Sequence, residues 1–134
     1  MNNTVHLSGM RVLLVEDESL VSMLAEDILA EAGCEVVLAM RLEEGLHLAA
    51  SERFDLAVLD INLGGGQTSY PIARLLMDRA IPFAFASGYG HQALSTDLQK
   101  HPMVQKPYTP TTLLDGVARA LSARCTEKEG GCSA

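Results

Sequence analysis

Short apolar runs alternate along this chain with segments in which apolar residues recur at helical spacing. Apolar runs bounded by polar residues are typical of strands covered on both faces, whereas the spaced pattern is typical of amphipathic helices. The pattern predicts strands at residues 11–15, 35–39, 56–62, 81–86 and 103–105. It predicts helices at residues 19–32, 42–51, 69–79, 91–98 and from 110 to about 122.

The predicted helices carry local signals at their ends. Gly33 ends the first helix, since glycine readily adopts the left-handed conformation that closes a helix. Gly45 weakens the second helix. Thr109 caps the last one, with Pro110 at its first position. On the first helix, the apolar residues recur at helical spacing, namely Leu20, Val21, Leu24, Ile28 and Leu29.

The alternation of strands and helices predicts an α/β domain with a parallel sheet and helices on both faces. Five strands fit the flavodoxin-like, doubly wound order 2-1-3-4-5, in which strands one and three are neighbours. We expect residues 11–122 to form this domain, residues 1–10 a flexible lead and residues 123–134 a frayed tail. A length of 134 residues suits a single domain.

Composition and charge argue against several classes of function. The formal net charge is −7, and no basic cluster offsets it, so we expect no surface that neutralises nucleic-acid phosphates. No apolar stretch approaches the length of a transmembrane helix, and the amino-terminal residues lack a signal-peptide pattern. The expectation is a cytoplasmic protein with no nucleic-acid or membrane partner.

The cysteines and histidines do not form a metal or catalytic motif. Cys34, Cys125 and Cys132 are odd in number and lack metal-type spacing. A reducing cytoplasm disfavours disulfides, and Cys34 is interpreted as a small apolar residue at a helix–strand junction. Four histidines are interpreted as surface residues, namely His6, His47, His91 and His101.

Carboxylates gather where the first and third predicted strands end. Glu16 and Asp17 follow strand one, and Asp60 stands at the end of the apolar run of strand three. In the predicted order these strands are neighbours, and open α/β sheets bind ligands at this edge. Hard oxygen ligands on an open edge suit Mg²⁺, which keeps several waters and often shares its shell with a phosphate. The alternative is a solvated acidic rim, with Asp60 as a turn former or helix cap.

Strands four and five bring two further polar groups to the same edge. Ser87 supplies a hydroxyl and Lys106 a positive charge. Each has an ordinary explanation, since Ser87 could cap the next turn and Lys106 could form a plain ion pair. Together with Asp60 they supply what phosphoryl transfer needs, which is a nucleophile, positioning and charge neutralisation.

In this arrangement the chain resembles the CheY-like receiver domains of two-component response regulators, over residues 10 to about 122. The motifs that carry the resemblance are Val15-Glu16-Asp17, Leu59-Asp60, Ser87-Gly88 and Lys106-Pro107. It implies that Asp60 accepts a phosphoryl group from a histidine kinase or a histidine phosphotransfer protein, and that signalling occurs by protein contact. It implies no enzyme activity beyond the protein's own phosphoryl transfer and dephosphorylation.

The resemblance also implies roles for the neighbours of Asp60. Ser87 would bond a phosphoryl oxygen, and Lys106 would pair with the phosphoryl charge. The Lys106-Pro107 peptide bond would be cis. The implied Mg²⁺ ligands are Asp17, Asp60 and the backbone carbonyl of Asn62, with Glu16 acting directly or through a water molecule.

The chain departs from the family at the aromatic switch residue. That residue usually lies three places before the lysine, where this chain has Met103, which has neither ring nor hydroxyl. Tyr89, two residues after Ser87, could take over part of its role. The surrounding segment resembles the subgroup with the signature Phe-Ala-Thr-Gly-Tyr, and Ser87 stands where that signature has threonine.

Other functions remain open from the sequence. A degenerate receiver would bind partners independently of phosphorylation, and a working one could serve as a relay intermediate, a phosphate sink or a direct binder of a target. A haloacid-dehalogenase-like phosphohydrolase is disfavoured. That class needs a second acid two residues after the nucleophile, where this chain has Asn62.

Overall fold

The computed structural model describes residues 7–88, 98 and 101–132, with residues 123–132 described as backbone only. Within these residues a five-stranded parallel sheet has the order β2-β1-β3-β4-β5. The strands are β1 Arg11–Val15, β2 Glu35–Ala39, β3 Leu56–Asp60, β4 Phe83–Ser87 and β5 Met103–Gln105. The predicted fold class and strand order are confirmed.

Helices cover both faces of the sheet. Those of the described residues are α1 Ser19–Glu31, α2 Leu42–Ser51, α3 Tyr70–Asp78 and α4 Pro110–Cys132. The predicted helix at 91–98 lies outside the described residues except for Leu98, which is buried. The backbone of residues 123–132, where we expected a tail, continues α4. None of the described helices has the length and apolar character needed to cross a bilayer.

The sheet separates two hydrophobic cores, because alternate residues of a strand point to opposite faces. The first core, beneath α1 and α4, includes Leu14, Val58, Leu29 and Val117. The second core, beneath α2 and α3, includes Leu13, Leu59, Ile72 and Phe85. The central strands contribute to both cores, which explains why β3 is buried along its whole length up to Asp60.

The inward face of α1 includes only some of its apolar residues. Leu20 and Leu24 are exposed, with Leu20 at 80% exposure. Ile28 and Leu29 are buried, together with the small residues Ser22 and Ala25. The hydroxyl of Ser22 donates to the carbonyl of Ser19 at 2.9 Å within the helix, which satisfies its polar atom and lets a small side chain face the sheet.

The residues just before β1 form hydrogen bonds with the turn that follows α1. The Gly9 N–H donates to the Gly33 carbonyl at 2.8 Å, and the Cys34 thiol donates to the Leu7 carbonyl at 3.7 Å. Leu7 and Cys34 belong to the first core. Cys34 is therefore an apolar junction residue, as predicted, and Gly33, with a φ of 96°, ends α1.

Two helical glycines allow close packing. A Cβ on Gly116 would lie 2.2 Å from Val104 Cγ2, and a Cβ on Gly45 would lie 2.5 Å from Ile72 Cδ1. The optimal distance between two non-bonded carbon atoms is about 3.5–4 Å, so a side chain at either position would clash. Gly45, which the sequence marks as a weakness of the second helix, is thus a packing residue between α2 and α3.

Gly116→Ala should lower the free energy of unfolding by about 1–3 kcal/mol. Alanine favours a helix over glycine by roughly 1 kcal/mol, but the added methyl meets Val104, whose β-branched side chain has few alternative rotamers. Urea denaturation measures the loss. In a double-variant cycle with Val104→Ala, we expect a coupling of about 1 kcal/mol or more. A Gly116→Ala protein more stable than wild type would contradict this packing.

Candidate functional site

Three carboxylates lie together at the carboxyl edge of the sheet. Val15 pairs with Leu59 in the β1–β3 ladder, so the residues that follow them, Glu16 and Asp60, are neighbours across the two strands. One oxygen each of Glu16, Asp17 and Asp60 lies within 4.8 Å of the others. Glu16 and Asp60 are 0% and 4% exposed. Carboxylates this close repel one another strongly unless a cation compensates them.

Lys106, directly after β5, supplies a cation to this cluster. Its Nζ lies 3.1 Å from Glu16 Oε2 and 3.2 Å from Asp60 Oδ2. A third and longer contact of 3.5 Å joins it to Glu18 Oε1. The side chain of Lys106 is 12% exposed, so water and salt screen the two buried pairs only weakly. Lys106 therefore bridges the two buried carboxylates.

Ser87 and the peptide after Lys106 complete this edge of the sheet. Ser87 ends β4, is buried, and pairs in register with Gln105 of β5. Its carbonyl accepts the N–H of Lys106 at 3.0 Å, which fixes the lysine backbone beside the end of β4. The Lys106–Pro107 peptide bond is cis, as the resemblance implied.

Two contacts of the cluster involve residues to which the sequence assigned no role. The Tyr108 hydroxyl donates to Glu16 Oε1 at 3.3 Å, and Tyr108 is buried. Glu18 is the N-cap residue of α1 but makes no side-chain capping bond, and its carboxylate pairs with Lys106 instead. Tyr108 lies two residues after Lys106, and Glu18 lies two residues after Glu16. This proximity in sequence is the signal that could have identified both residues.

Burial and neighbouring charges both shift the pKa values of the groups in this cluster. Burial, aided by the Glu16 charge, raises the pKa of Asp60 to about 8, although Lys106 lowers it. Burial lowers the pKa of Lys106, but the Asp60 and Glu16 charges outweigh it and hold that pKa above its ordinary value. Burial and the Glu16 charge also raise the pKa of Tyr108. Its hydroxyl therefore keeps its proton and remains a hydrogen-bond donor.

The donor set fits Mg²⁺. Glu16, Asp17 and Asp60 offer hard carboxylate oxygens that lie within 4.8 Å of one another, on an edge where water can complete the shell. Gly64, with a φ of 83°, passes close by, and a Cβ there would lie 3.2 Å from Asp17 Oδ2. The glycine therefore leaves room around this carboxylate that a larger residue would occupy.

The backbone near Asn62 also fits its implied role as a ligand. Asn62 forms an isolated antiparallel bridge with Thr68. The two hydrogen bonds of that bridge use the Ile61 carbonyl, which accepts from Ser69 at 3.0 Å, and the Leu63 N–H, which donates to Gln67 at 2.9 Å. This bridge therefore leaves the Asn62 carbonyl unengaged.

The switch position lies on the side of the second core. Met103 is partly buried there and pairs in register with Phe85 of β4. The Tyr70 ring meets Phe85 edge-on, with centroids 6.0 Å apart. Tyr89, the other residue considered for switching, lies outside the described residues.

The histidines divide into two groups. His47 is exposed, as predicted, but His101 is partly buried and stacks on Phe83 with ring centroids 4.3 Å apart. The surface prediction for His101 is therefore wrong, because its ring covers the apolar face of a core phenylalanine. His6 and His91 lie outside the described residues.

The chain belongs to the response regulator receiver domain family, which matches residues 12–118. That range contains the acidic residues after β1, the aspartate of β3, the serine of β4 and the lysine after β5. The fold and the arrangement of these residues are those that the sequence led us to expect.

Similar proteins support this membership. Transcriptional activator protein IrlR of Burkholderia pseudomallei (strain 1026b) is 32% identical over 105 residues, which cover 74% of this chain and 44% of IrlR. The chain thus spans less than half the length of this curated relative. SdrG from Sphingomonas melonis Fr1, a solution structure, is 36% identical with a TM-score of 0.72, over 91% of this chain and 99% of SdrG. A CheY-like receiver domain protein from Methanospirillum hungatei JF-1 is 25% identical with a TM-score of 0.73. The match covers 90% of this chain and 99% of that protein.

Proposed function

We propose that this protein is a working receiver, which accepts a phosphoryl group on Asp60 from a phosphohistidine donor and signals by protein contact. One observation carries the proposal. The buried Asp60 carboxylate lies 3.2 Å from the Lys106 ammonium and within 4.8 Å of an acidic pair that suits a divalent cation. A nucleophile between two sources of positive charge is the arrangement that phosphoryl transfer requires.

In the proposed reaction an Asp60 oxygen attacks phosphorus, and an O–P bond forms as the P–N bond of phosphohistidine breaks. The electron pair of the P–N bond returns to the imidazole nitrogen. The attacking carboxylate must be ionised, a state that Lys106 favours and burial opposes. Mg²⁺ held by Glu16, Asp17 and Asp60 would supply further positive charge to the nucleophile and the transferred group.

The remaining site residues act on the phosphorylated state in this proposal. Lys106 exchanges its contact with the Asp60 carboxylate for one with a phosphoryl oxygen, which keeps its charge paired. Ser87, at the end of the neighbouring strand β4, donates its hydroxyl to another phosphoryl oxygen. The chemistry is confined to the protein's own phosphorylation and dephosphorylation, so turnover of a separate substrate is not part of the proposal.

The proposed phosphodonor is a histidine kinase or a histidine phosphotransfer protein. Leu20 and Met23 at the start of α1 are 80% and 57% exposed, close in sequence to Glu16 and Asp17. Exposed apolar residues grouped beside a reactive site are typical of protein contacts. The net charge of −7 supports a partner with basic groups over nucleic acid.

Intact mass spectrometry tests the proposal. The protein is incubated with phosphoramidate, a donor with a P–N bond, with MgCl₂ or with EDTA. We expect one phosphoryl group on wild type with MgCl₂, none in EDTA and none on Asp60→Asn. Asp27→Asn, which removes an exposed carboxylate of α1, should be phosphorylated like wild type. Wild type that stays unmodified with MgCl₂, or an Asp60→Asn protein that is modified, would contradict the proposal.

A binding module independent of phosphorylation is the second candidate. Met103 favours it, because a side chain without ring or hydroxyl occupies the position of the family's aromatic switch. The same experiment separates the two functions. Phosphorylation of wild type supports the receiver, whereas an unmodified protein that still binds Mg²⁺ supports the binding module.

A further inference from the structure

Tyr108 combines a ring in the hydrophobic core with a hydroxyl in the carboxylate cluster. The residue is 3% exposed, and its ring belongs to the first core. Its hydroxyl donates to Glu16 Oε1 at 3.3 Å. A core position that needed apolar area alone would be filled by phenylalanine, without a polar atom to satisfy. The hydroxyl is therefore the informative part of this side chain.

Glu16 is the carboxylate with the least contact with solvent in the cluster. It is 0% exposed, and a buried carboxylate needs hydrogen-bond donors on its oxygens. Lys106 Nζ lies 3.1 Å from Oε2 and 3.4 Å from Oε1. The Glu18 N–H adds a contact of 3.4 Å to Oε2. Oε2 therefore has two donors, and Tyr108 directs its hydroxyl to Oε1.

We propose that Tyr108 is a positioning residue for Glu16, whose hydroxyl holds the carboxylate plane in the orientation that directs it toward the divalent cation. The inference rests on the proposed function, because it assumes that the acidic cluster binds Mg²⁺. Hydrogen-bond partners of ligating groups fix the orientation of those groups, and their loss typically weakens metal binding about 10- to 100-fold. Tyr108 lies in the loop after β5, so its hydrogen bond also links Glu16, which follows β1, to the loop that carries Lys106.

Calorimetric titration with MgCl₂ alone tests this role. Tyr108→Phe keeps the ring in the core and removes the hydroxyl. We expect its dissociation constant for Mg²⁺ to rise about tenfold. Tyr70→Phe is the matched control, since it removes a hydroxyl from a ring that packs on Phe85 in the other core. Its Mg²⁺ affinity should equal that of wild type.

A second pair of variants shows whether Tyr108 acts through Glu16. In a Glu16→Gln background the Tyr108→Phe change should weaken Mg²⁺ binding less than twofold, because the carboxylate that the hydroxyl positions is absent. An equal tenfold loss in both backgrounds would overturn the inference and indicate a general effect on the fold.

The outcomes also separate this inference from the proposed function. If wild type binds Mg²⁺ and Asp17→Asn does not, the acidic cluster is the Mg²⁺ site. Tyr108→Phe with wild-type affinity would then overturn the role of Tyr108 alone. If wild type binds Mg²⁺ no better than Asp17→Asn, both the metal site and the role of Tyr108 are overturned.

Discussion

Lys106→Gln should lower the rate of Asp60 phosphorylation about 100- to 1,000-fold, the usual loss when one electrostatic contact to a transition state is removed. The same change should strengthen Mg²⁺ binding several-fold. Both effects have one cause, which is that Lys106 contacts Glu16 Oε2 and Asp60 Oδ2. These carboxylates would also serve Mg²⁺, so the lysine competes with the cation before transfer and stabilises the phosphoryl charge during transfer.

The opposite directions of the two effects make this prediction specific. Rates are measured by intact mass against time with phosphoramidate at saturating MgCl₂, and affinities by calorimetric titration. Arg41→Gln, which removes one exposed positive charge at the N-cap of α2, serves as the control and should change neither quantity. A Lys106→Gln protein that loses rate and Mg²⁺ affinity together would point to a collapsed site. One with an unchanged rate would remove Lys106 from the mechanism.

Asp60→Asn should stabilise the metal-free protein, and the gain should grow with pH. Burial raises the pKa of Asp60 to about 8 from an ordinary value of 3.8. Between these values the folded protein holds a proton that the unfolded chain releases, so the stability of wild type falls as the pH rises through this window. The asparagine side chain does not titrate in this range, so the variant lacks this pH-dependent loss of stability. We expect a gain of about 1 kcal/mol at pH 4.5 and of order 5 kcal/mol at pH 8.

Urea denaturation in EDTA across this pH range measures the difference. Addition of MgCl₂ at pH 8 should narrow the difference, because binding at about 100 times the dissociation constant stabilises wild type by roughly 2.7 kcal/mol while Asp60→Asn lacks one carboxylate ligand. The exposed-site control Asp27→Asn should show no pH-dependent gain. A difference between Asp60→Asn and wild type that stays constant from pH 4.5 to pH 8 would refute the raised pKa.

The carboxyl edge of the sheet could be predicted because each strand is a short apolar run with a clear polar end. Once the order 2-1-3-4-5 is assumed, Glu16 and Asp60 follow neighbouring strands, and Lys106 lies at the same carboxyl edge of the sheet. The distances that join Lys106 to both carboxylates agree with that expectation. Topology could not give the side-chain partners, and Tyr108 was missed for this reason.

The orientation of α1 could not be predicted, because its apolar residues cover more than one face. Leu20 and Leu24 share a helical stripe with Ile28, yet the sheet contacts a face that begins at Ser22 and Ala25. Periodicity identifies a helix, but small residues decide how closely it approaches the sheet. The packing roles of Gly45 and Gly116 were hidden likewise, since the atoms they avoid belong to other elements.

Asp60 and Lys106 are held by strands that differ in the free energy needed for local opening. Asp60 belongs to β3, which is paired on both sides and buried throughout. Lys106 follows β5, a three-residue strand that, among the residues the structure describes, pairs with β4 at the edge of the sheet. Short edge segments open at lower free energy than central strands. Transient opening of β5 would therefore move the Lys106 ammonium away from the cluster while the carboxylates stay in place, so the net charge of the site would change through its lysine.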